Sequence, residues 1–373
     1  MQEKYISLGL MSGTSADGVD ASIIQSDGVS YFEVLKDKYY EYNSEIFKNI
    51  HGIKEKIQNI NDLVKFKKEI SDLEREITMF HAKIPNDIGI ENENLIIGFH
   101  GQTIFHNSKE RVSVQLGDGK LLNQLTKKRI IYNFRKNDLD AGGEGAPLTP
   151  IFHQLIASNK KFKLPTCFLN IGGIANVTLI KEKIGSLNFF SKDIGPGNCL
   201  IDTWIRKNSN KIIDDAGNIA KQGKINEIIL EQAQELYANR IDKNKLSFDV
   251  NDFDASFARG LSLEDGAATL TELTAYIIAE STINFIKNNN LDIKEIFLCG
   301  GGRKNKILIE KINKNFLYKI KMCLIDDFEL NGDFIESQAF AFLAIRRLLN
   351  LPITFPNTTG CEVPCVGGKL IEN

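Results

Sequence analysis

The sequence predicts an α/β protein of two domains with a cleft between them. Short apolar runs that read as buried strands alternate with periodic stretches that read as helices, the pattern of helices packed against a mainly parallel sheet. At 373 residues the chain exceeds the size at which one hydrophobic core usually stops growing. A strand ending in a glycine-rich turn recurs three times, at LGLMSGTSADG, FLNIGGIAN and FLCGGGRKN, so one device is repeated along the chain.

Residues 5–10 read as a buried strand that closes in a tight turn, and VDASIIQSDG as the next strand of a hairpin. Over residues 44–82 the apolar positions Leu63, Phe66, Ile70, Leu73, Ile77 and Phe80 recur every three or four residues, which predicts one amphipathic helix. NLIIGFHG reads as a buried strand, and DLDAGGEGAPLTP as a crossover between domains. Residues 269–286 are strongly helix-periodic, and ESQAFAFLAIRRLLN is apolar enough to predict a largely buried helix.

Composition excludes several classes. Lys and Arg (46) are balanced by Asp and Glu (48), giving a net charge of -2, and no basic stripe is present, which disfavours nucleic acid as a partner. MQEKYISLGLMSG lacks the basic start and long apolar run of an export signal, and no segment offers the ~20 apolar residues of a membrane span. The six cysteines sit mostly in apolar segments, without a second Cys or His pair at zinc spacing, so they read as reduced core filler in a cytoplasmic protein. No GxxxxGK[ST] loop, no GxGxxG after the first strand, no HExxH and no GxSxG elbow occurs.

The chemistry concentrates in the turns. MSGTSADGVD gathers small residues whose backbone amides can approach phosphate oxygens, with Thr14 and Ser15 adding hydroxyls and Asp17 or Asp20 able to hold Mg²⁺ through water. Alone, such a segment is more often just a turn. NIGGIAN supplies a second turn able to grip a triphosphate, and CGGGRKN a third in which missing side chains leave room for a flat ring. In DIGPGNCLID, Asp193 is a candidate general base, although by itself the pattern also fits a helix N-cap with Asp202 facing the core.

Taken in order, MSGTSADGVD, GFHGQTIFH, DLDAGGEGAPLTPIFH, NIGGIANVT, DIGPGNCLID, ATLTELTA, CGGGRKN and ESQAFAFLA resemble the motif series of the anhydro-N-acetylmuramic acid kinase family over essentially the whole chain. The resemblance implies the two-domain actin-like ATPase fold shared by sugar kinases, heat-shock ATPases and actin, with an interdomain cleft. It implies a lobe of residues 1–132 plus 338–373 carrying the phosphate loop, and a second lobe of residues 133–337 carrying the second turn, the catalytic Asp and the nucleoside turn. The implied activity is ATP- and Mg²⁺-dependent: hydrolytic opening of the 1,6-anhydro ring and phosphorylation of O6 in peptidoglycan recycling. Residues carried over for the nucleotide are Gly13, Thr14, Ser15, Ala16, Asp17, Gly18, Val19, Asp20, Gly172, Gly173, Asn176, Gly300, Gly301 and Gly302. Asp193 takes the place of the catalytic base, and His100, Gln102, Thr103, Arg135, Asp138, Glu144 and Glu336 those of sugar contacts. Arg135 can clamp the lactyl carboxylate bidentately or form an interdomain salt bridge. The partner implied is a small-molecule sugar, and the resemblance with the C-terminal segment points to a homodimer.

The chain departs from the family's pattern twice. Asn133 stands where an Asp usually precedes the Phe-Arg pair, and KLSFDVNDFD replaces a Lys-Ser-Thr-Gly-Arg pattern, so no role is carried onto Lys245, Ser247 or Asp252. The competing readings are another sugar kinase of the same fold, and a filament-forming or chaperone ATPase that works by shape change. Dependence of ADP release on an added anhydro sugar separates them.

Overall fold

The computed structural model describes residues 3–90, 92–240, 245–316 and 320–372. Its strands are β1 (Tyr5–Ser12), β2 (Gly18–Ser26), β3 (Phe32–Glu41), β4 (Ile96–Asn107), β5 (Val112–Leu116), β6 (Arg129–Tyr132), β7 (Thr166–Ile171), β8 (Ile174–Ile180), β9 (Phe189–Pro196), β10 (Glu295–Cys299), β11 (Lys321–Leu324) and β12 (Lys369–Ile371). They form two sheets in two compact units: residues 1–162, 182–189 and 333–373, and residues 163–181 and 190–332.

The first sheet has the order β12-β6-β4-β1-β2-β3, with β5 pairing β4, and the second the order β11-β10-β7-β8-β9. In the first, β1 is antiparallel to β2 and parallel to β4, which is parallel to β6. In the second, β7 is antiparallel to β8 and parallel to β10, which is parallel to β11. The same path is therefore walked twice: an antiparallel start, then two parallel strands added on the other side of the first. That duplication underlies the repeated strand-and-glycine device, and it is the α/β arrangement expected of the actin-like ATPase class.

In the first unit, Leu8, Leu10, Val19, Ala21, Ile23, Ile97 and Phe99 form one face of the sheet, covered by Ile46, Ile50, Leu73, Ile77 and Ile84. These come from helices Ser44–Lys56 and Lys67–Asp87, which the sequence joins into one predicted helix. The chain breaks because Asn59 and Asp62 form a capping box that starts a new short helix, Ile60–Lys65, and Ile57 is extended. Strand β3 carries no apolar alternation, since most of its residues face solvent, and it was invisible to pattern reading.

The opposite face receives helix Ile335–Leu348, whose backbone lies almost on the sheet. A Cβ at Gly9 would stand 1.9 Å from the Ser337 carbonyl oxygen, and one at Gly98 2.3 Å from that of Phe340. Glycine is required at both positions by close approach rather than by backbone conformation.

Two boundaries differ from the expected ones. The first unit continues past Tyr132 to Phe162, and resumes at Asp333 rather than at residue 338. Physically, the DLDAGGEGAPLTP stretch is bound to the chain's own C-terminal segment: Thr359 Oγ1 donates to Asp138 at 2.6 Å, and the Glu144 amide to the Thr359 carbonyl at 2.7 Å. It is an internal loop of this unit, not a crossover. Likewise Gln154 Nε2 donates to the carbonyls of Glu182, Lys183 and Ser186, which draws residues 182–189 into the first unit.

In the second unit, one sheet face (Cys167, Leu169, Val177, Leu298) packs on helices Leu263–Asn288 and Lys306–Asn315 through Ile278, Ile283, Leu308 and Ile312. A further cluster around Trp204, Tyr237, Phe248 and Phe253 joins helices Cys199–Asn208 and Glu227–Arg240 to the loop that follows. Five cysteines are buried and Cys365 is half-buried; burial pushes the Cys199 thiol up to about 12, so it is inert at neutral pH. Among the described residues, no helix is long and apolar enough to cross a membrane.

Three buried histidines of the first unit make stability acid-sensitive. Burial pushes His81 down to about 4 and His153 to about 3, and burial plus the Arg135 charge pushes His100 to about 3. An unfolded histidine takes up its proton near pH 6.5. Between that value and the folded one the unfolded chain binds more protons, so stability falls as pH falls, by up to about 1.4 kcal/mol per pH unit for each histidine. Urea midpoints measured from pH 7 to pH 4.5 are expected to drop steadily. A His153→Gln protein should show a shallower slope, and an unchanged slope would rule out that contribution.

Candidate functional site

In the first unit, the β1–β2 connection is confined to residues 13–17. A turn closes it, with the Ala16 amide donating to the Gly13 carbonyl at 3.2 Å, and Ala16 adopts a left-handed φ of 56°. That conformation costs a non-glycine residue roughly 1–2 kcal/mol, a strain held by the surrounding packing. Gln102 Nε2 donates to the Gly13 carbonyl at 2.9 Å, Lys54 Nζ to that of Thr14 and His51 Nε2 to that of Ser15, both at 3.1 Å. With the carbonyls so engaged, the turn is shaped from outside. Ser15 Oγ donates to Asp17 Oδ1 at 2.6 Å, which sets the carboxylate on the loop.

Gly18, Val19 and Asp20 belong to β2 rather than to the loop. Val19 is fully buried in the apolar core, which leaves its side chain no part in a nucleotide site. Gly18 is needed for packing, because a Cβ there would meet the Tyr40 carbonyl at 2.4 Å and the Tyr39 ring at 2.6 Å. Side chains alternate along a strand, so Asp20 lies on the face opposite Val19. It shares that face with Ser22, whose Oγ meets Ser337 Oγ at 2.6 Å beside Glu336, in the first turn of helix Ile335–Leu348.

Of the expected sugar contacts, His100, Arg135, Asp138 and the loop that carries Glu144 form a second group in this unit, while Gln102 sits at the β1–β2 turn and Glu336 in the first turn of helix Ile335–Leu348. Arg135 donates through Nη1 to the Gly145 carbonyl at 2.8 Å and through Nη2 to His100 Nε2 at 3.0 Å. His100 Nδ1 donates to the Gly101 carbonyl at 2.8 Å, and its ring lies 4.5 Å from that of Phe340. A histidine whose Nε2 accepts from a guanidinium stays neutral, in line with its strongly lowered pKa. His100 thus orients Arg135 and is not an acid. Asp138 is fully buried, with Oδ2 accepting the Gly145 amide at 2.7 Å and Oδ1 the Thr359 hydroxyl at 2.6 Å. Its carboxylate is committed to shaping the loop that carries half-buried Glu144. Thr103 Oγ1 accepts from Gln115 Nε2 at 3.3 Å. Asn133 is exposed, with a left-handed φ of 54°, a conformation that Asn tolerates well.

In the second unit, two glycine turns meet. The carbonyls of Gly172 and Gly173 accept the amides of Gly197, Asn198 and Cys199 at 2.8–3.1 Å, pinning the β7–β8 turn to the start of helix Cys199–Asn208. Gly300, with φ of 80°, abuts this turn, since a Cβ there would lie 2.4 Å from Asn170 Oδ1; one at Gly302 would lie 2.3 Å from Ile171. At Gly301 nothing lies within 4 Å of a Cβ position, which leaves an open face of bare backbone. Asn176 Oδ1 is buried with no partner among the described residues, as is Gln102 Oε1 in the first unit.

Arg303 holds the triple-glycine turn in place. Its Nε and Nη2 donate to the two oxygens of Asp326, each at 2.7 Å, and Nη1 donates to the Gly300 carbonyl at 3.0 Å. The guanidinium holds Asp326 below the usual carboxylate range. Motif reading missed Arg303, Asn170, Asn198 and Thr359; the first three lie beside glycines in CGGGRKN, NIGGIAN and DIGPGNCLID, while Thr359 reaches Asp138 only through the fold.

Asp193 stands on β9, 5% exposed. Its backbone amide donates to the Leu246 carbonyl at 2.8 Å, and its Oδ2 accepts the Phe248 amide at 2.9 Å. It is therefore not a helix cap. Asp193 is thus a buried carboxylate held by a backbone amide, in the unit that carries the two glycine turns, and a carboxylate so held can accept a proton.

The model of a single family, described as "Anhydro-N-acetylmuramic acid kinase", matches residues 4–373. The chain belongs to the anhydro-N-acetylmuramic acid kinase family. A relative of that name from Pelagibacter ubique (strain HTCC1062) is 50% identical over 376 residues, covering 100% of both chains. Relatives of the same name from Zymomonas mobilis and Agrobacterium fabrum are 35% and 34% identical, covering 98% and 100% of this chain and 99% and 100% of their own. The family match spans both anhydro-N-acetylmuramic acid kinase motif groups described above, the Arg135 cluster and the Asp193 strand alike.

Proposed function

We propose that the protein is a phosphotransferase with an alcohol group as acceptor, which uses ATP to convert 1,6-anhydro-N-acetylmuramic acid into N-acetylmuramic acid 6-phosphate and ADP in peptidoglycan recycling. The observation that carries this reading is Asp193, a buried carboxylate oriented by the Phe248 amide, in the DIGPGNCLID motif whose resemblance to the family gives it the place of the base.

The anhydro sugar has no free hydroxyl at C6, so phosphorylation requires its bridge to break. Asp193 takes a proton from water as the water oxygen bonds to C1. The C1–O6 bond breaks, O6 bonds to the γ-phosphorus, and the bond from that phosphorus to ADP breaks. This is inverting glycoside hydrolysis with phosphorus replacing the general acid. In this reading, as the sequence resemblance implies, residues 13–17, Gly172, Gly173, Asn176, Gly300, Gly301 and Gly302 are the nucleotide contacts. Arg135, oriented by His100, meets the lactyl carboxylate; Gln102, Thr103, Glu144 and Glu336 complete the sugar contacts, and Asp138 shapes their loop.

Mg²⁺ belongs to the same reading. Asp17 and Asp20 would supply hard oxygen donors to an ion that keeps waters of its own. When bound, it supplies positive charge to the phosphoryl oxygens. The cytoplasm as compartment and a homodimer as assembly complete the reading, checked by cell fractionation and sedimentation.

The test mixes protein, ATP, Mg²⁺ and the anhydro sugar. ADP release is expected to depend wholly on the sugar, and NMR of the early product should show inversion at C1. Sugar-independent ADP release would refute the kinase reading; retained configuration would refute direct attack by water.

A further inference from the structure

The stretch KLSFDVNDFD, where the chain departs from its family's pattern, wraps the proposed base. Asp193 bonds to it at two points, its amide to Leu246 and its Oδ2 to Phe248, across the buried Ser247. In an antiparallel bridge, the Phe248 amide would go to a backbone carbonyl; here it goes to a carboxylate. The loop is itself latched. Asp252 Oδ2 accepts the Asp249 amide at 2.8 Å and the Lys245 ammonium, while the Phe248 ring packs 5.5 Å from Phe253, which stacks on Tyr237 at 5.9 Å. A side chain gripped at its amide and at one carboxylate oxygen loses freedom about both of its torsions, and the N–H donor favours the ionised form.

We propose that residues 245–253 form a positioning element for the base, in which the Phe248 amide, kept in register by Asp252, locks the Asp193 carboxylate in a single orientation. The inference rests on the reading of Asp193 as base. Asp252 touches no reacting atom and acts through the loop.

The decisive variant replaces Phe248 with phenyllactic acid by nonsense suppression, which exchanges one N–H for an ester oxygen and keeps the ring. A hydrogen bond to a charged group of ordinary strength corresponds to about a tenfold to hundredfold effect, so kcat is expected to fall by that factor. KM for ATP and for the sugar should stay within about twofold, and the acid limb of the kcat–pH profile should move up by about one unit. Asp252→Ala should shift both readouts the same way to a smaller extent. Asp252→Asn, whose amide oxygen still accepts from Asp249, should recover most of kcat. An unchanged kcat and pH limb in the ester, or Asp252→Asn behaving like Asp252→Ala, overturns the proposal. Asp193→Asn separates the two levels: if it stays active, the base assignment fails; if it is inactive while the ester matches wild type, only the positioning role fails.

Discussion

Asp193→Asn is expected to bind ATP and sugar while losing turnover by about 10²–10⁴-fold, the range supplied by a positioned general base. Asparagine keeps the shape and can still accept the Phe248 amide, so the fold around β9 persists. What disappears is the only property assigned to the side chain, its capacity to take a proton from water. Calorimetric titration of the variant with ATP and with the anhydro sugar should return dissociation constants within a few-fold of wild type. Turnover within tenfold of wild type would instead place the proton on another group and sink the mechanism. Loss of binding together with turnover would make Asp193 a structural residue.

Gly9→Ala is expected to cause the largest loss of stability among single methyl additions to the first unit. The new Cβ would sit 1.9 Å from the Ser337 carbonyl oxygen and 2.6 Å from the Ala341 amide nitrogen, both backbone atoms of a helix that cannot swing aside like a side chain. Overpacking of this kind costs about 1–3 kcal/mol or more. In a unit of this size each kcal/mol lowers Tm by about 2–4 °C. Gly52→Ala is the control. It lies inside helix Ser44–Lys56 with nothing within 4 Å of its Cβ position, and should stabilise by about 0.5–1 kcal/mol. Equal melting temperatures for Gly9→Ala and wild type would mean that the helix does not lie on the sheet as described. Because Glu336 sits in the first turn of that helix, the same variant should also weaken sugar binding.

Part of this was legible in the order of residues. The strands β1, β7 and β10 are apolar runs closed by glycines, and each glycine turn lies where the run ends, whereas β4 runs on through Gly98 and Gly101 to Asn107. Asp193 stood out because it precedes a Gly-Pro-Gly turn within a motif of the series. Other features left no local trace. Strand β3 is mostly exposed, and its apolar residues do not alternate, so no period-two pattern marks it. The helix expected over residues 44–82 is cut where Asn59 caps a new start, a signal hidden by apolar spacing that continues across the break.

What the sequence by itself determined is the α/β class, the duplicated device and the family, and it singled out Asp193 as the candidate base, since each is written in residues adjacent in the chain. The tertiary structure alone decided how those residues are used. It assigned Asp138 to a partner 221 positions away and Asp193 to one 55 positions away. It put the Val19 side chain in the core and set the Leu246 carbonyl and the Phe248 amide against Asp193. Pairings at such separations depend on which sheet face a side chain meets and what packs over it, a property of the folded chain that no window of neighbouring residues encodes.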